Sequence, residues 1–424
     1  MLAIQMTVVL PKVALADDDD DSAISAQAAT PLPDTLIYSF GTLGKQTCGG
    51  VDGGDPKGSL TFANNFLFGR TSGTSAKGNG DGIIFHIDTA GANYTIDHLF
   101  TGAKPDGNDP RHSAMTLNGT VLYGTTLIGG KQNTGTIFSI NDDGMGYSTP
   151  LLYSFDKGGK KNNGDMPHSC FASNNGALYG MTSQGGTKGL PNGDGTIFSF
   201  DPQTKIYTRL YSFDGAKHGS DPHGQPILDP NGTTLYGMTR AGGKHGVGVV
   251  FSYDVNSKTF TKLHDFSCPG TNSAPACINK NDGATPDHGT LVQSGTTLFG
   301  LTSAGGKSGL GTIFSYELTQ KKFIVLHSFG PNTTNDGLNP FGSLILNNTT
   351  LYGTTRLGGT FTSGTVFQIN TDGTGYARVH DFQGGTFDGA NPIDNVILVN
   401  GVLYGMTEAG GKCNLGVIFS VTLP

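Results

Sequence analysis

The 424-residue chain contains no tryptophan, five cysteines and only 14% charged residues. Without tryptophan it lacks the largest aromatic face that sugar-binding surfaces favour, which weakens any carbohydrate reading. No basic stripe is present: 26 Lys and Arg stand against 33 Asp and Glu, a formal net charge of −7, so a nucleic-acid partner is not expected. No segment carries a sustained helical period, so helices are not expected. After the N-terminal leader no apolar run reaches bilayer length, so no membrane span is expected. Gly-x-Ser-x-Gly, a Walker loop, Cys-x-x-Cys and His-Glu-x-x-His are all missing, which withholds the usual hydrolase, nucleotide, redox and zinc-protease signatures. The glycine-rich turns lie between strands, with no helix N-terminus to aim at a phosphate. No cofactor and no metal is assigned.

What the chain has instead is glycine, 67 residues of it, and repetition. Leu122-Tyr123-Gly124-Thr125-Thr126 recurs as Leu67-Phe68-Gly69, Leu178-Tyr179-Gly180, Leu235-Tyr236-Gly237, Leu298-Phe299-Gly300, Leu351-Tyr352-Gly353 and Leu403-Tyr404-Gly405. Successive glycines are 55, 56, 57, 63, 53 and 52 residues apart. A period in that range means an array of one supersecondary unit. About a dozen residues on, a second word appears in every copy, as in Gly135-Thr136-Ile137-Phe138 and Gly311-Thr312-Ile313-Phe314. A third, of the type Leu152-Tyr153-Ser154-Phe155, follows it, and a looser apolar run such as Ser343-Leu344-Ile345-Leu346 precedes each Leu-Tyr-Gly.

These runs are short, β-branched or aromatic, and bounded by turn residues, so each unit is predicted to hold four strands. We label them a (Ser-Leu-Ile-Leu type), b (Leu-Tyr-Gly-Thr), c (Gly-Thr-Ile-Phe) and d (Leu-Tyr-Ser-Phe). Pairs such as Asn118-Gly119, Asn231-Gly232 and Gly242-Gly243 supply the positive φ of tight turns. Seven units of four antiparallel strands predict an all-β fold, a seven-bladed β-propeller. The chain opens with a lone d strand at 36–40 and stops just after a lone c strand. The N-terminal strand is therefore expected to complete the last blade and close the ring, leaving no exposed edge.

The repeated Leu-Tyr-Gly-Thr-Thr…Gly-Gly…Gly-Thr-Ile-Phe…Leu-Tyr-Ser-Phe…Asp-Gly-x-x-Pro unit resembles the GloVer tandem repeat of secreted bacterial proteins. The resemblance covers residues 36–424 and implies export and a propeller-like array. It brings no catalytic residues. Members often end in an anchoring segment, whereas this chain stops at its last strand, so release and not attachment is expected. Kelch-type propellers share the double glycine after strand b but carry a tryptophan that is missing here.

Residues 1–16 end in Ala14-Leu15-Ala16 after an apolar run and read as a signal segment. Against it, no basic residue precedes the run and Pro11-Lys12 interrupts it, which a start codon assigned too late would explain. Residues 17–34 read as a flexible acidic and Ser/Ala/Pro leader, and residues 35–424 as the propeller. A secreted or periplasmic monomer is expected. In an antiparallel blade the d-to-a and b-to-c connections share a face, which brings Cys48 near Cys413. A Cys48–Cys413 bridge would staple the borrowed strand in place, worth about 4–5 kcal/mol in the chain-entropy model. Cys268 and Cys277 bracket the one long insertion and are expected to pair within it. Cys170 falls in a strand and is expected as a buried thiol. Five reduced cysteines in a cytosolic protein are the alternative.

Histidines supply the candidate chemistry. His112, His168, His223 and His288 each follow a proline by one or two residues, at the start of strand a in four consecutive units. Strand a is the innermost of a blade, so the four can form an arc at one mouth of the central channel. There they could hold a divalent cation or act as base and acid on a sugar acid. The plainer reading makes them rim residues, since equivalent slots hold Lys57, Phe341 and Ile393 and no carboxylate partner is visible by spacing. Arg70, Arg240, Arg356 and Glu408, near the ends of b strands, break the repeat and are the candidate ligand-binding residues. His264, His327 and His380 replace Tyr in strand d and read as packing. The turn residues Asp52, Asp106, Asp282, Asp336 and Asp388 could in principle bind calcium, but Asp-Gly is first of all turn chemistry.

The function expected is a binding or scaffold module for a glycan, peptide or protein partner, acting through the face that carries the d-to-a and b-to-c loops. The alternative is a polysaccharide lyase or hydrolase working at the histidine arc, and a mainly structural surface or matrix protein is a third. Whether the protein is an enzyme stays open at this point, because propellers host all of these roles.

Overall fold

In the computed structural model, which describes residues 34–423 apart from 44–47, 74–80, 113, 150, 157–162, 189–192, 268–281 and 331–335, each repeat folds into one four-stranded antiparallel sheet. Seven such sheets form a seven-bladed β-propeller. The fifth blade is typical, with strands a to d at Val292–Ser294, Thr297–Thr302, Thr312–Glu317 and Lys322–Ser328. Among the described residues there is no helix, and so none long and apolar enough to cross a membrane.

The two best-repeated words are two halves of one contact. The glycine of Leu-Tyr-Gly lies opposite the phenylalanine of strand c, as Gly124 lies opposite Phe138 and Gly300 opposite Phe314. A Cβ on Gly124 would stand 2.3 Å from the Phe138 ring, and in the other six blades the same distance is 2.3–2.6 Å. The missing side chain is the space the ring occupies. Each of these phenylalanines is fully buried.

No single core fills the molecule. Seven apolar clusters lie one at each blade-to-blade interface. Aromatic stacks lock neighbouring d strands together: Tyr38 on Tyr94, His98 on Tyr147, Tyr153 on Tyr207, Tyr211 on Phe260, His264 on Phe323 and His327 on Tyr376, with centroids 3.5–4.5 Å apart. The polar end of each d-strand Tyr or His meets the next turn. Tyr38 donates to Asp52 at 2.5 Å, and His264 and His327 lie 2.9 and 3.0 Å from Asp282 and Asp336. His98 and His380 approach Asp106 and Asp388 at 3.4 and 3.8 Å. These carboxylates also take backbone N–H groups of their own turns. The repeated aspartates therefore have partners inside the protein, and turn chemistry accounts for them without calcium.

The ring closes through its N-terminal strand. Asp34–Ser39 pairs antiparallel with Val417–Thr422, completing a seventh blade whose other strands are Ile397–Val399 and Val402–Thr407. Phe40 then enters the core shared with the first blade. Cys48 and Cys413 are disulfide-bonded, with Cα atoms 5.4 Å apart and a sequence separation of 365. Cys268 and Cys277 lie outside the described residues, as do residues 1–33, which hold the expected signal segment and most of the leader.

Two stability measurements follow from this packing. Gly300→Ala should cost about 1–3 kcal/mol in chemical denaturation, since the Phe314 ring must move to admit the methyl group. An unchanged midpoint would reject the glycine–ring account. Cys48→Ser should lower the melting temperature by about 5 °C, the loop-closure term acting on a chain of this size. Identical melting of the substituted and native proteins would show that the bond contributes nothing.

Candidate functional site

Every blade is entered through the same three-residue device. A residue in the left-handed region, namely Asp55, Asp109, Met166, Asp221, Thr285, Asn339 or Asn391, with φ between 52 and 60°, turns the chain. A proline follows, and its ring packs on the strand-c glycine of the preceding blade. A Cβ on Gly82, Gly135, Gly195, Gly248, Gly311, Gly364 or Gly416 would stand 2.4–2.9 Å from that ring. Just before that left-handed residue the d-to-a segment pairs with the b-to-c turn of the blade being entered, as Gly107 does with Gly129 and Gly283 with Gly305. Both loops are thereby held on one face.

The residue after each proline is thus fixed in place but free in identity. In order these residues are Lys57, Arg111, His168, His223, Asp287, Phe341 and Ile393. All seven line one funnel of about 320 Å³, together with His112, His288, Arg240 and Arg356. The slots holding Lys57, Phe341 and Ile393 belong to the funnel with the histidines, on its wall.

The four imidazoles meet as two stacked pairs. His112 lies on His288 with centroids 3.8 Å apart, and His168 on His223 at 3.9 Å. The pairs adjoin, with His223 5.2 Å from His288 and His112 5.6 Å from His168. Main-chain strain places one of them: His112 has φ 60°, a conformation uncommon for a non-glycine residue.

Carboxylate partners exist, contrary to the expectation from spacing. His223 lies 2.8 Å from Asp221 and 3.4 Å from Asp287, and Asp287 lies 3.8 Å from His288. Arg240 meets both aspartates at 3.1 Å. Sequence distance hid these contacts only in part. Asp221 stands two residues before His223 and Asp287 directly before His288, and aligning the slots on their prolines would have put Arg111 and Asp287 in the same set.

Protonation splits the cluster. Burial, reinforced by the neighbouring imidazoles, holds His112 and His168 well below the ordinary histidine value. Burial brings His288 down to about 4 despite the opposing pull of Asp287. His223 moves the other way: burial works against its charge, but hydrogen bonds to Asp221 and Asp287 outweigh it and raise its pKa. Those contacts lower Asp287 and Asp221 against the upward push of burial. At neutral pH His112, His168 and His288 are uncharged, beside a His223 whose charged form Asp221 and Asp287 favour. Such a cluster can accept or give single protons, or offer imidazole nitrogens to a metal ion.

The remaining candidates divide. Arg356 pairs with Glu408 at 3.2 Å and lies over the Phe341 ring at 5.6 Å. Glu408 also lies 3.7 Å from Lys57, so it links two wall cations. Arg70 is a correction. It sits inside strand b (Phe66–Thr71), two residues before the slot that Arg240 and Arg356 occupy in theirs, and it is 1% exposed. Its guanidinium donates to the carbonyls of His112 at 2.7 Å and Thr125 at 3.0 Å, and to Cys170 Sγ at 3.5 Å. It braces the strained backbone at His112 from below and does not line the funnel. Cys170 is buried at that contact.

A repeat family described as the Gloeobacter/Verrucomicrobia repeat matches residues 35–189, 146–334 and 331–424. No curated protein matches the chain. Among solved structures it is similar to a chain of the mitotic checkpoint complex, at 10% identity and TM-score 0.53, covering 100% of this chain and 99% of that one. It is also similar to an oligogalacturonate lyase in complex with manganese, at 11% identity and TM-score 0.51, covering 93% and 97%. TolB from Acinetobacter baumannii aligns at 14% identity and TM-score 0.43 over 70% of this chain, which spans 59% of that protein. At such identities the likeness is one of fold.

Arg70→Met should cost about 2–3 kcal/mol, because the carbonyls of His112 and Thr125 lose a buried charged donor. It should also shift the imidazole resonances of His112. Native-like melting together with unmoved resonances would show that Arg70 does not brace the site.

Proposed function

The chain belongs to the Gloeobacter/Verrucomicrobia repeat family, and from that premise we propose that it is an exported propeller that binds an acidic glycan at the funnel on its loop face. The observation that carries this reading is the lining. Four cations, Lys57, Arg111, Arg240 and Arg356, line a single funnel with one carboxylate, Asp287, and each is held by a carboxylate at the wall: Lys57 by Asp55, Arg111 by Asp109, Arg240 by Asp221 and Asp287, and Arg356 by Glu408. Their N–H groups, gathered at one lining, can exchange those internal partners for the carboxylates of an anionic ligand, which a neutral ligand lacks. Phe341 and Ile393 supply an apolar wall for the ring of a sugar acid, partly replacing the absent tryptophan. Export is supported by the Cys48–Cys413 bond, since such bonds persist in oxidising compartments, and by the signal-like run before Asp17.

A second reading, a polysaccharide lyase, is favoured by one observation: uncharged imidazoles lie within reach of the same cations. A cation would neutralise the uronate carboxylate while an imidazole nitrogen took the proton on the carbon beside it. The electron pair left behind would form the C=C bond as the glycosidic C–O bond broke. The leaving oxygen would take a proton from a second imidazole or from water.

One experiment separates the readings. The protein is screened against polygalacturonate, alginate, hyaluronan and neutral dextran, scoring retention and new unsaturated chain ends by mass spectrometry. Acidic polymers should be retained and dextran not, and Lys57→Ala or Arg240→Ala should each weaken retention about tenfold. Equal retention of dextran, or of both variants, would sink the acidic-glycan reading. New unsaturated ends that disappear in His168→Ala would establish the lyase.

A further inference from the structure

We propose that His112, His168 and His288 form a binding site for a single divalent transition-metal ion at the floor of the funnel. This goes beyond the acidic-glycan reading, because it rests on the imidazoles alone and holds whether or not the ligand is a glycan.

Three observations carry it. The candidate ligand atoms of these three residues all lie within 4.8 Å of one another. Nitrogens that share one ion at about 2.0–2.1 Å stand roughly 3–3.5 Å apart, so the rings, which stack face to face, would turn their in-plane lone pairs inward to close the set. The Nδ1 atoms of all three residues are buried and have no hydrogen-bond partner. A buried polar atom without a partner is costly to the fold, and an ion taking Nδ1 as its ligand would remove that cost. Thirdly, the three residues come from the entries to three different blades, the second, third and fifth. Local turn geometry in one loop cannot account for their meeting.

The surroundings suit a dication. Asp287 belongs with His223 and His288 to a second ligand set of the same span, so a carboxylate stands beside the three imidazoles. Arg111 and Arg240 are the nearest fixed cations, and both are engaged, Arg111 with Asp109 and Arg240 with Asp221 and Asp287. His223 is held by its two aspartates and stacks on His168, which makes it a positioning residue for the site. The donor chemistry selects the ion. Imidazole nitrogens suit zinc, cobalt, nickel or iron, whereas calcium and magnesium take oxygen ligands. Three protein ligands leave coordination positions open towards the funnel, as in metal sites that bind water or substrate.

The test uses the full-length protein, stripped with EDTA and titrated calorimetrically with zinc, cobalt and magnesium chlorides in turn. Zinc and cobalt should bind at one ion per chain and magnesium should not. Cobalt should develop a visible ligand-field band, and zinc should raise the melting temperature of the native protein by mass action. His168→Gln and His288→Gln should each weaken zinc at least about 100-fold, while His327→Gln, outside the funnel, should bind as native. Circular dichroism confirms that each variant is folded, and the native melting shift provides a readout that needs no variant. Absence of saturable zinc and cobalt binding by the folded native protein would overturn the proposal. So would affinity unchanged in both funnel variants. Because the titration contains no glycan and polymer retention can be scored in EDTA, failure of this site and failure of the acidic-glycan reading are read separately.

Discussion

The fold depends on a side chain that is absent. In each blade the glycine of strand b leaves room for the strand-c phenylalanine to lie flat across its neighbour, 2.3–2.6 Å from where a Cβ would stand. This sets how closely the two central strands of a blade can be covered by the next sheet. Burying a phenylalanine there contributes about 1.5–3 kcal/mol per blade, but the contact matters more as geometry. The same ring meets the d-strand phenylalanine edge-on, as Phe138 meets Phe100 and Phe314 meets Phe266. A propeller buries its apolar area between blades and not at a centre, so an error at one interface is shared by two blades. Seven copies of one contact tolerate little variation, which is why Leu-Tyr-Gly and Gly-Thr-Ile-Phe read so clearly along the chain.

Function has room only where that packing makes no demand. The proline that enters strand a is fixed by the glycine it covers, whereas the residue after it faces the funnel and touches neither core. Seven blades therefore deliver seven side chains of arbitrary chemistry to one place. This chain has used the freedom asymmetrically. Histidine, arginine and aspartate come from blades two to five, and phenylalanine and isoleucine from blades six and seven. The funnel has a polar, ionisable side and an apolar side, and a symmetric scaffold has become a site able to orient one ligand.

The architecture was legible because periodicity is a long-range signal that does not require knowing which residues touch. The closing strand was legible for the same reason: a lone d at one end and a lone c at the other have one economical arrangement. The histidines were visible as an arc but not as a stacked cluster, since their meeting depends on the ring's curvature, which no spacing encodes. Arg70 follows its Leu-Phe-Gly glycine by one residue, whereas Arg240 and Arg356 follow theirs by three. Two residues along a strand end decide between the inward packing of Arg70 and the funnel-facing position of Arg240. The aspartates of the Asp-Gly turns accept backbone N–H groups of their own turns, a role their sequence context makes plain. Their second role emerges only when strand d is set beside them, where Tyr or His at one position is matched by Asp52, Asp106, Asn163, His218, Asp282, Asp336 or Asp388 at the other.

That pairing also separates two kinds of histidine on one scaffold. His264 and His327 each face a carboxylate within 3.0 Å and stack on an aromatic ring of the next blade. Their polar atoms are answered within the fold, and they serve it. His112, His168 and His288 are buried against one another, with Nδ1 atoms that nothing in the fold answers. A protein gains no stability by gathering uncharged imidazoles whose hydrogen-bonding capacity goes unused. An isosteric apolar set would pack the same floor without that cost. A ligand from outside the chain, such as the ion proposed above, would supply the missing partners. The same residue type thus packs against internal partners in strand d and, in the funnel, presents nitrogens to which an external ligand would bind.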